Sequence, residues 1–179
     1  MTAPALEVEG LTTSFRTEGK WVSVVKNLSF HINPGETVAV VGESGSGKSV
    51  TALSVMRLLQ QGVSRVEGTV RLAGRDLTAL SEPAMRDVRG AEIGMIFQEP
   101  MTSLNPVLTT GFQIMEALRR HRNMSRAEAR TEALRLLDLV RIPDAARRIE
   151  EHPHTFSGGM RQRVMIAMAM ACQPTLLIA

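Results

Sequence analysis

Residues 42–49 constrain this chain more than any other stretch. They read Gly42-Glu43-Ser44-Gly45-Ser46-Gly47-Lys48-Ser49, which fits the pattern G-x-x-x-x-G-K-[ST] in full. The run just before it, residues 37–41, is continuously apolar, as expected of a strand buried on both faces. Just after it a helical pattern runs from Lys48 to about Leu59. A buried strand, a glycine-rich loop and a helix in immediate succession place the chain among α/β folds.

The residue types in the loop have a chemical reason. Glycines let backbone N–H groups converge on an anion, and the following helix turns its positive end toward the same point. Lys48 is suited to the β- and γ-phosphates of a nucleotide and Ser49 to a Mg²⁺ ion. Only three of the 21 basic residues are lysines, Lys20, Lys26 and Lys48. A chain that prefers arginine elsewhere uses lysine here, where a compact ammonium fits and a planar guanidinium does not. A plain Gly/Ser turn is the alternative reading, and the strand before and helix after weigh against it. The loop alone leaves the class of nucleotide protein open. A GTPase would carry Asn-Lys-x-Asp, and no such run occurs, whereas a small-molecule kinase remains compatible.

Composition bounds the rest. At 179 residues the chain can bury one real core. A net charge of +3 carries no strong nucleic-acid footprint. The single Cys172 forms no internal disulfide and reads as an inert thiol in a Met/Ala run. The N-terminus shows no signal-peptide pattern, and the apolar run at residues 164–172 is too short to span a membrane. Membrane association is therefore expected to come through a partner.

Further along, residues 6–15 and 22–32 read as strands joined by a turn at Thr17-Glu18-Gly19-Lys20. Residues 66–72 and 92–97 read as strands, and residues 84–88 as a helix with Gly90 near its end. From Thr109 the period becomes helical, with Leu108, Phe112, Met115 and Leu118 spaced to share one face. Ser125 and Glu128 form a capping box for a helix lined by Ala133, Leu134, Leu137 and Val140. Ile142-Pro143-Asp144 ends that helix. Ser157-Gly158-Gly159 opens a last helix, apolar nearly all round over residues 164–171, and residues 176–179 begin a strand.

A second constellation narrows the class. Ser157 is a good N-cap, and Gly158 and Gly159 leave N–H groups open at a helix start, which is an anion site in its own right. The run Phe156-Ser157-Gly158-Gly159-Met160-Arg161-Gln162-Arg163 resembles the signature of ABC-transporter ATP-binding domains. Ile96-Phe97-Gln98-Glu99-Pro100 resembles the family's Q-loop. Residues 99–106 (Glu-Pro-Met-Thr-Ser-Leu-Asn-Pro) together with Pro153-His154 are similar to the peptide/nickel importer branch, whose members serve dipeptides, oligopeptides and glutathione. Phe156, Met160 and Thr155 depart from the usual Leu, Gln and Gln of that branch.

The resemblance implies an ABC-type P-loop nucleotide-binding domain with a RecA-like α/β core, an antiparallel β-subdomain and a helical subdomain. Its parts would be residues 1–98, 99–163 and 164–179. It implies ATP held by Gly42, Glu43, Ser44, Gly45, Ser46, Gly47, Lys48, Ser49 and Val50, with Mg²⁺ on Ser49 and Gln98, and catalytic roles for Lys48 and Gln98. Phe15 is the expected adenine-stacking aromatic, with Trp21 as the alternative. Ser157, Gly158 and Gly159 would act on ATP of an opposite subunit in a head-to-tail dimer. Implied partners are that second ATPase domain, two integral-membrane permease subunits and, indirectly, a periplasmic or extracellular solute-binding protein, with no nucleic acid. The implied location is peripheral, on the cytoplasmic face of a bacterial cell membrane. Residues 176–179 stop before the Asp-Glu expected after that strand, so the domain reads as incomplete at its C-terminus and inactive alone. A non-transport ABC ATPase and a nucleotide-binding module without turnover are the alternatives, and the transported solute is not readable from these residues.

Overall fold

Glu18 and Gly19 adopt φ values of 51° and 79°, the left-handed pair that a two-residue hairpin turn requires. They join β1 (Leu6–Thr17) to β2 (Lys20–Ile32), which pair antiparallel with Thr17 opposite Lys20. The computed structural model describes residues 3–97 and 103–179, which divide into two units, Met1–Met85 and Arg86–Ala179. In the first, β3 (Ser64–Leu72) pairs with β1, and β4 (Arg75–Asp76) with β3, giving an antiparallel sheet of order β2-β1-β3-β4. Leu6 and Val8, and beyond a register shift Leu11 and Thr13, are buried residues of β1, each pair spaced by the period of two. The β1–β3 register shifts between Glu9 and Thr12. There Gly68 lies so close to β1 that a Cβ on it would sit 2.6 Å from Glu9 O.

Helix α1 (Lys48–Val55) packs on this sheet. The buried Thr13 and Ser54 hydroxyls are 2.8 Å apart and tie the helix to β1. The helix stops short of Leu59 because Arg57 turns left-handed, with φ 51°. Its guanidinium donates instead to Leu77 O and Leu80 O, at 2.9 and 2.8 Å. Residues 37–41, expected as a buried strand, form no strand. Val40 and Val41 are 57% and 91% exposed. An apolar run becomes a doubly buried strand only with a paired neighbour and cover on both faces, and no strand of this unit's sheet pairs with it. Helix α2 (Glu82–Ala91) is broken near its end by non-helical Arg89 and Gly90.

In the second unit β5 (Ile93–Met95) and β6 (Leu176–Ile178) pair in parallel, Ile93 opposite Leu176. Strand β5 is shorter than the expected 92–97. Among the described residues, the helices that follow it before β6 are α3 (Thr110–Arg122), α4 (Arg126–Leu139), α5 (Ala145–Arg148) and α6 (Gly158–Met170). Their core gathers Leu104, Ile114, Leu118, Ala133, Leu136, Leu137, Ile149, Phe156, Val164 and Ala167. The capping box on α4 is formed in both directions, Glu128 N–H to Ser125 Oγ at 3.3 Å and Ser125 N–H to Glu128 Oε2 at 2.8 Å. Hydrogen bonding from the Ser125 side chain and then from its backbone N–H holds the Glu128 carboxyl below the usual carboxylate range.

One residue of an expected face lies elsewhere. Leu118 is buried and Met115 packs half-buried against the helical core, but Phe112 is 46% exposed, while Gly111, Gln113 and Ile114 are buried. The reason is close approach: a Cβ on Gly111 would run into Ile149, so the glycine side is the one that can come nearest to the core. Similarly a Cβ on Gly94 would run into Ala169 O, which sets α6 tight against β5.

Candidate nucleotide site

The sharp turn into α1 is made by glycine, which takes a left-handed backbone without strain. Gly47 is the N-cap of α1 at φ 92°, ψ 4°, with no side-chain cap. A Cβ there would meet Val25 Cγ2 at 3.2 Å and Val24 O at 3.3 Å. Strand β2 thus forms the floor of the loop, a role for Val24 and Val25 that the sequence pattern did not single out. At the other end of the octet, a Cβ on Gly42 would sit 2.6 Å from Ser46 Oγ.

The loop closes on itself through Ser46 N–H to Glu43 O at 3.2 Å. Lys48 curls back over it, its ammonium donating to Gly42 O at 2.6 Å and Glu43 O at 2.7 Å. The cation is therefore carried at the mouth of the loop by backbone oxygens. The first N–H groups of α1, up to the Thr51 N–H that bonds Gly47 O at 2.8 Å, have no helical acceptor, as at any helix start. Converging N–H groups, a positive helix end and one ammonium suit the polyphosphate of a nucleotide. The Ser49 side chain is exposed in the first turn of α1, and its hydroxyl meets no partner among the described residues. A single hydroxyl is a suitable protein ligand for Mg²⁺, which keeps most of its shell as water and phosphate oxygen. Val50 follows in the same turn, its carbonyl accepting from Ser54 Oγ at 2.7 Å. Ser44, Gly45 and the remaining loop residues lie at the surface.

Phe15 sits half-buried in β1, opposite Val22 of β2 and Ser64 of β3. Trp21, opposite Arg16, is 46% exposed. Both aromatics belong to the first unit, and Trp21 offers the more open ring. Gln98 lies outside the described residues.

The second helix start is built differently. Ser157 adopts an extended φ/ψ of −63° and 162° and accepts the Met160 N–H at 3.3 Å. Phe156 beside it is buried in the helical core, so it anchors the segment as an aliphatic residue would. Gly158 and Gly159 are exposed, neither has positive φ, and a Cβ on either would meet nothing within 4 Å. Upstream, Pro153–Thr155 form one 3₁₀ turn, with the His152 and His154 rings stacked at 5.7 Å. The sequence placed these histidines in loop structure, and there they lie. Cys172 is half-buried, and burial pushes its thiol pKa up, against reactivity.

Comparison with known proteins matches this arrangement to one family. The model of the ABC transporter family matches residues 25–179. Proteins of Brucella abortus strain 2308 and Brucella suis biovar 1 that are named as peptide import ATP-binding proteins are each 57% identical over 99% of this chain and 54% of their own length. The chain thus spans about half the length of the curated relatives it matches. Among solved structures, a dimeric post-hydrolysis state of the ATP-binding cassette MJ0796, bound to ADP and Pi, superposes with a TM-score of 0.84 at 28% identity. That match covers 96% of this chain and 72% of the other. The cbiO1 protein of Clostridium perfringens shares the fold at a TM-score of 0.75 and 21% identity, over 97% of this chain and 64% of its own.

Proposed function

The chain belongs to the ABC transporter family, and from that membership we propose that it is the ATP-binding subunit of an importer of peptides or a related small solute. The observation that carries the reading is the loop at residues 42–49, which enters α1 through the left-handed, crowded Gly47 and whose lysine stands over its mouth. The 57% identity to proteins named for peptide import supports the substrate class, with di- and oligopeptides, glutathione and nickel as its range.

In this reading Lys48 neutralises the β- and γ-phosphates of ATP, and the N–H groups of residues 43–49 bind their oxygens. Ser49 ligates Mg²⁺, which when bound offsets charge on the transferred phosphoryl group. Gln98 orients the attacking water, and Phe15 or Trp21 stacks on adenine. Ser157, Gly158 and Gly159 close on ATP held by a second ATPase domain, head to tail, as the dimeric state of the MJ0796 cassette suggests. No helix among the described residues is long and apolar enough to cross a membrane. Coupling is therefore assigned to two permease subunits, with this chain docked peripherally on the cytoplasmic face and a solute-binding protein delivering cargo from outside.

The non-transport alternative is disfavoured by the segment between Gln98 and Ser157. Its described helices are the short α3, α4 and α5, without the long coiled-coil arm that such an ATPase would be expected to carry. Co-purification separates the two: membrane subunits retained by this chain support the importer, and a DNA- or ribosome-bound complex lacking them would remove it. None of the residues given a role here is a carboxylate that activates water, a contribution of about 10²–10⁴-fold. The polypeptide of residues 1–179 is expected to bind a fluorescent ATP analogue and release phosphate at most slowly. Turnover as fast as that of a version extended through an Asp-Glu pair would show that the base lies within residues 1–179.

A further inference from the structure

We infer that the buried hydroxyls of Thr13 and Ser54 position the nucleotide, by fixing the strand that carries the base-stacking ring against the helix that follows the phosphate loop. The inference rests on the ATP-binding reading above. Thr13 in β1 is 0% exposed and Ser54 in α1 is 1% exposed, with their oxygens 2.8 Å apart. Ser54 Oγ donates its one proton to Val50 O at 2.7 Å. Thr13 is therefore the donor to Ser54, and the bonds run one way, from β1 through Ser54 to the Val50 carbonyl. Val50 follows Ser49 in the first turn of α1. Phe15 lies two residues beyond Thr13 on β1, and Trp21 stands opposite Arg16 of the same strand. Either ring is carried by the strand that this pair anchors.

A helix packed on a sheet ordinarily turns an apolar stripe toward it, and a buried hydroxyl is costly unless bonded. Apolar contact is non-directional and tolerates sliding, whereas a hydrogen bond fixes a distance and an angle. The backbone ladder lacks that definition here. The β1–β2 register shifts between Leu11 and Thr13 and again between Thr13 and Ser14. Side chains take over at this point: Thr13 bonds to α1, and Ser14 Oγ lies 2.9 Å from Ser23 Oγ of β2. At its start α1 meets the same hairpin through Gly47, where a Cβ would crowd Val24 and Val25. The helix is thus held to β1 and β2 at two points. A nucleotide joins its base to its terminal phosphates through a ribose of fixed size. One ligand fills both sites only if their separation is held, whereas an inorganic polyphosphate needs the loop alone.

Equilibrium binding of ATP and of inorganic tripolyphosphate, each with Mg²⁺, separates the two sites. Thr13→Val keeps the shape of the side chain and removes the donor, while Ser54 keeps its bond to Val50 O. ATP affinity is expected to fall about fivefold, one hydrogen bond's worth of preorganisation, with tripolyphosphate affinity within about twofold of wild type. Thr13→Ser returns the hydroxyl and should return the ATP affinity. The double variant Thr13→Val/Ser54→Ala guards against a single variant that folds poorly. It replaces both partners by apolar groups, a change that can be nearly neutral for stability, and should show the same split between the ligands. Equal loss for both ligands, no loss for either, or a Thr13→Ser variant as weak as Thr13→Val would overturn the positioning role and leave the ATP-binding reading intact. If neither Phe15→Ala nor Trp21→Ala lowers ATP affinity in the otherwise wild-type chain, base stacking itself falls and this inference with it.

Discussion

The two helix starts that the sequence marked as anion sites solve the same problem in opposite ways. At α1 the N-cap is a left-handed glycine with no side-chain cap, and a Cβ there would crowd Val25 and Val24. At α6 the N-cap is Ser157, which satisfies the Met160 N–H itself, and Gly158 and Gly159 face open space with helical backbone. The fold of α1 needs its glycine. The fold of α6 needs neither of its two, because a Cβ at either position would meet open space. In the proposed head-to-tail assembly the first site is a cradle formed within one chain, and the second is a landing for the nucleotide of the opposite subunit.

That contrast is most easily broken by filling the landing. Gly159→Trp is expected to leave binding of a fluorescent ATP analogue by the isolated chain unchanged, while turnover in the assembled transporter falls about 10²–10³-fold, the scale for losing donors to transition-state charge. Equal loss of both would make the glycine pair a local support and end the contrast. Lys48→Ala should do the reverse. Its ammonium spans the loop mouth at Gly42 O and Glu43 O. Removing a charged partner of two phosphates should weaken equilibrium binding in the isolated chain about a hundredfold. Unchanged affinity would take Lys48 out of the site.

How legible each region was follows the same division. The octet at residues 42–49, the Glu18-Gly19 turn, the Ser125/Glu128 box and the Ser157 cap were readable because each is a local bargain between a few neighbouring backbone groups and side chains of fixed type. What could not be read depends on who packs against whom. Residues 37–41 carry the apolar composition of a core strand, but composition does not supply the paired neighbour. On α3 Phe112 keeps the helical spacing of Met115 and Leu118, so periodicity does not reveal that it lies outside the buried side. Gly111 against Ile149 decided it, and a glycine contributes nothing to a hydrophobic pattern. Gln113 went unseen for the related reason that a polar letter in a helix reads as surface until its partners are known.

The smallest effect is also the one that sharpens the comparison furthest, because Ser157 has two possible employments and they can be pulled apart. Its hydroxyl caps α6, and in the proposed assembly it also faces the ATP of the opposite subunit. Ser157→Ala removes both, leaving the Met160 N–H without the oxygen now 3.3 Å away. Loss of such a cap costs about 1 kcal/mol. Ser157→Gly removes the hydroxyl too, yet glycine is itself an acceptable N-cap and costs only a few tenths of a kcal/mol by the same scale. Chemical denaturation should therefore rank wild type above the glycine variant and the glycine variant above the alanine variant. If the hydroxyl also serves the opposite subunit's phosphate, coupled turnover should fall alike in the two variants, out of step with their stabilities. If turnover instead follows stability, with the glycine variant close to wild type, Ser157 is a cap and nothing more. The landing at α6 would then consist of the backbone N–H groups of Gly158 and Gly159 alone.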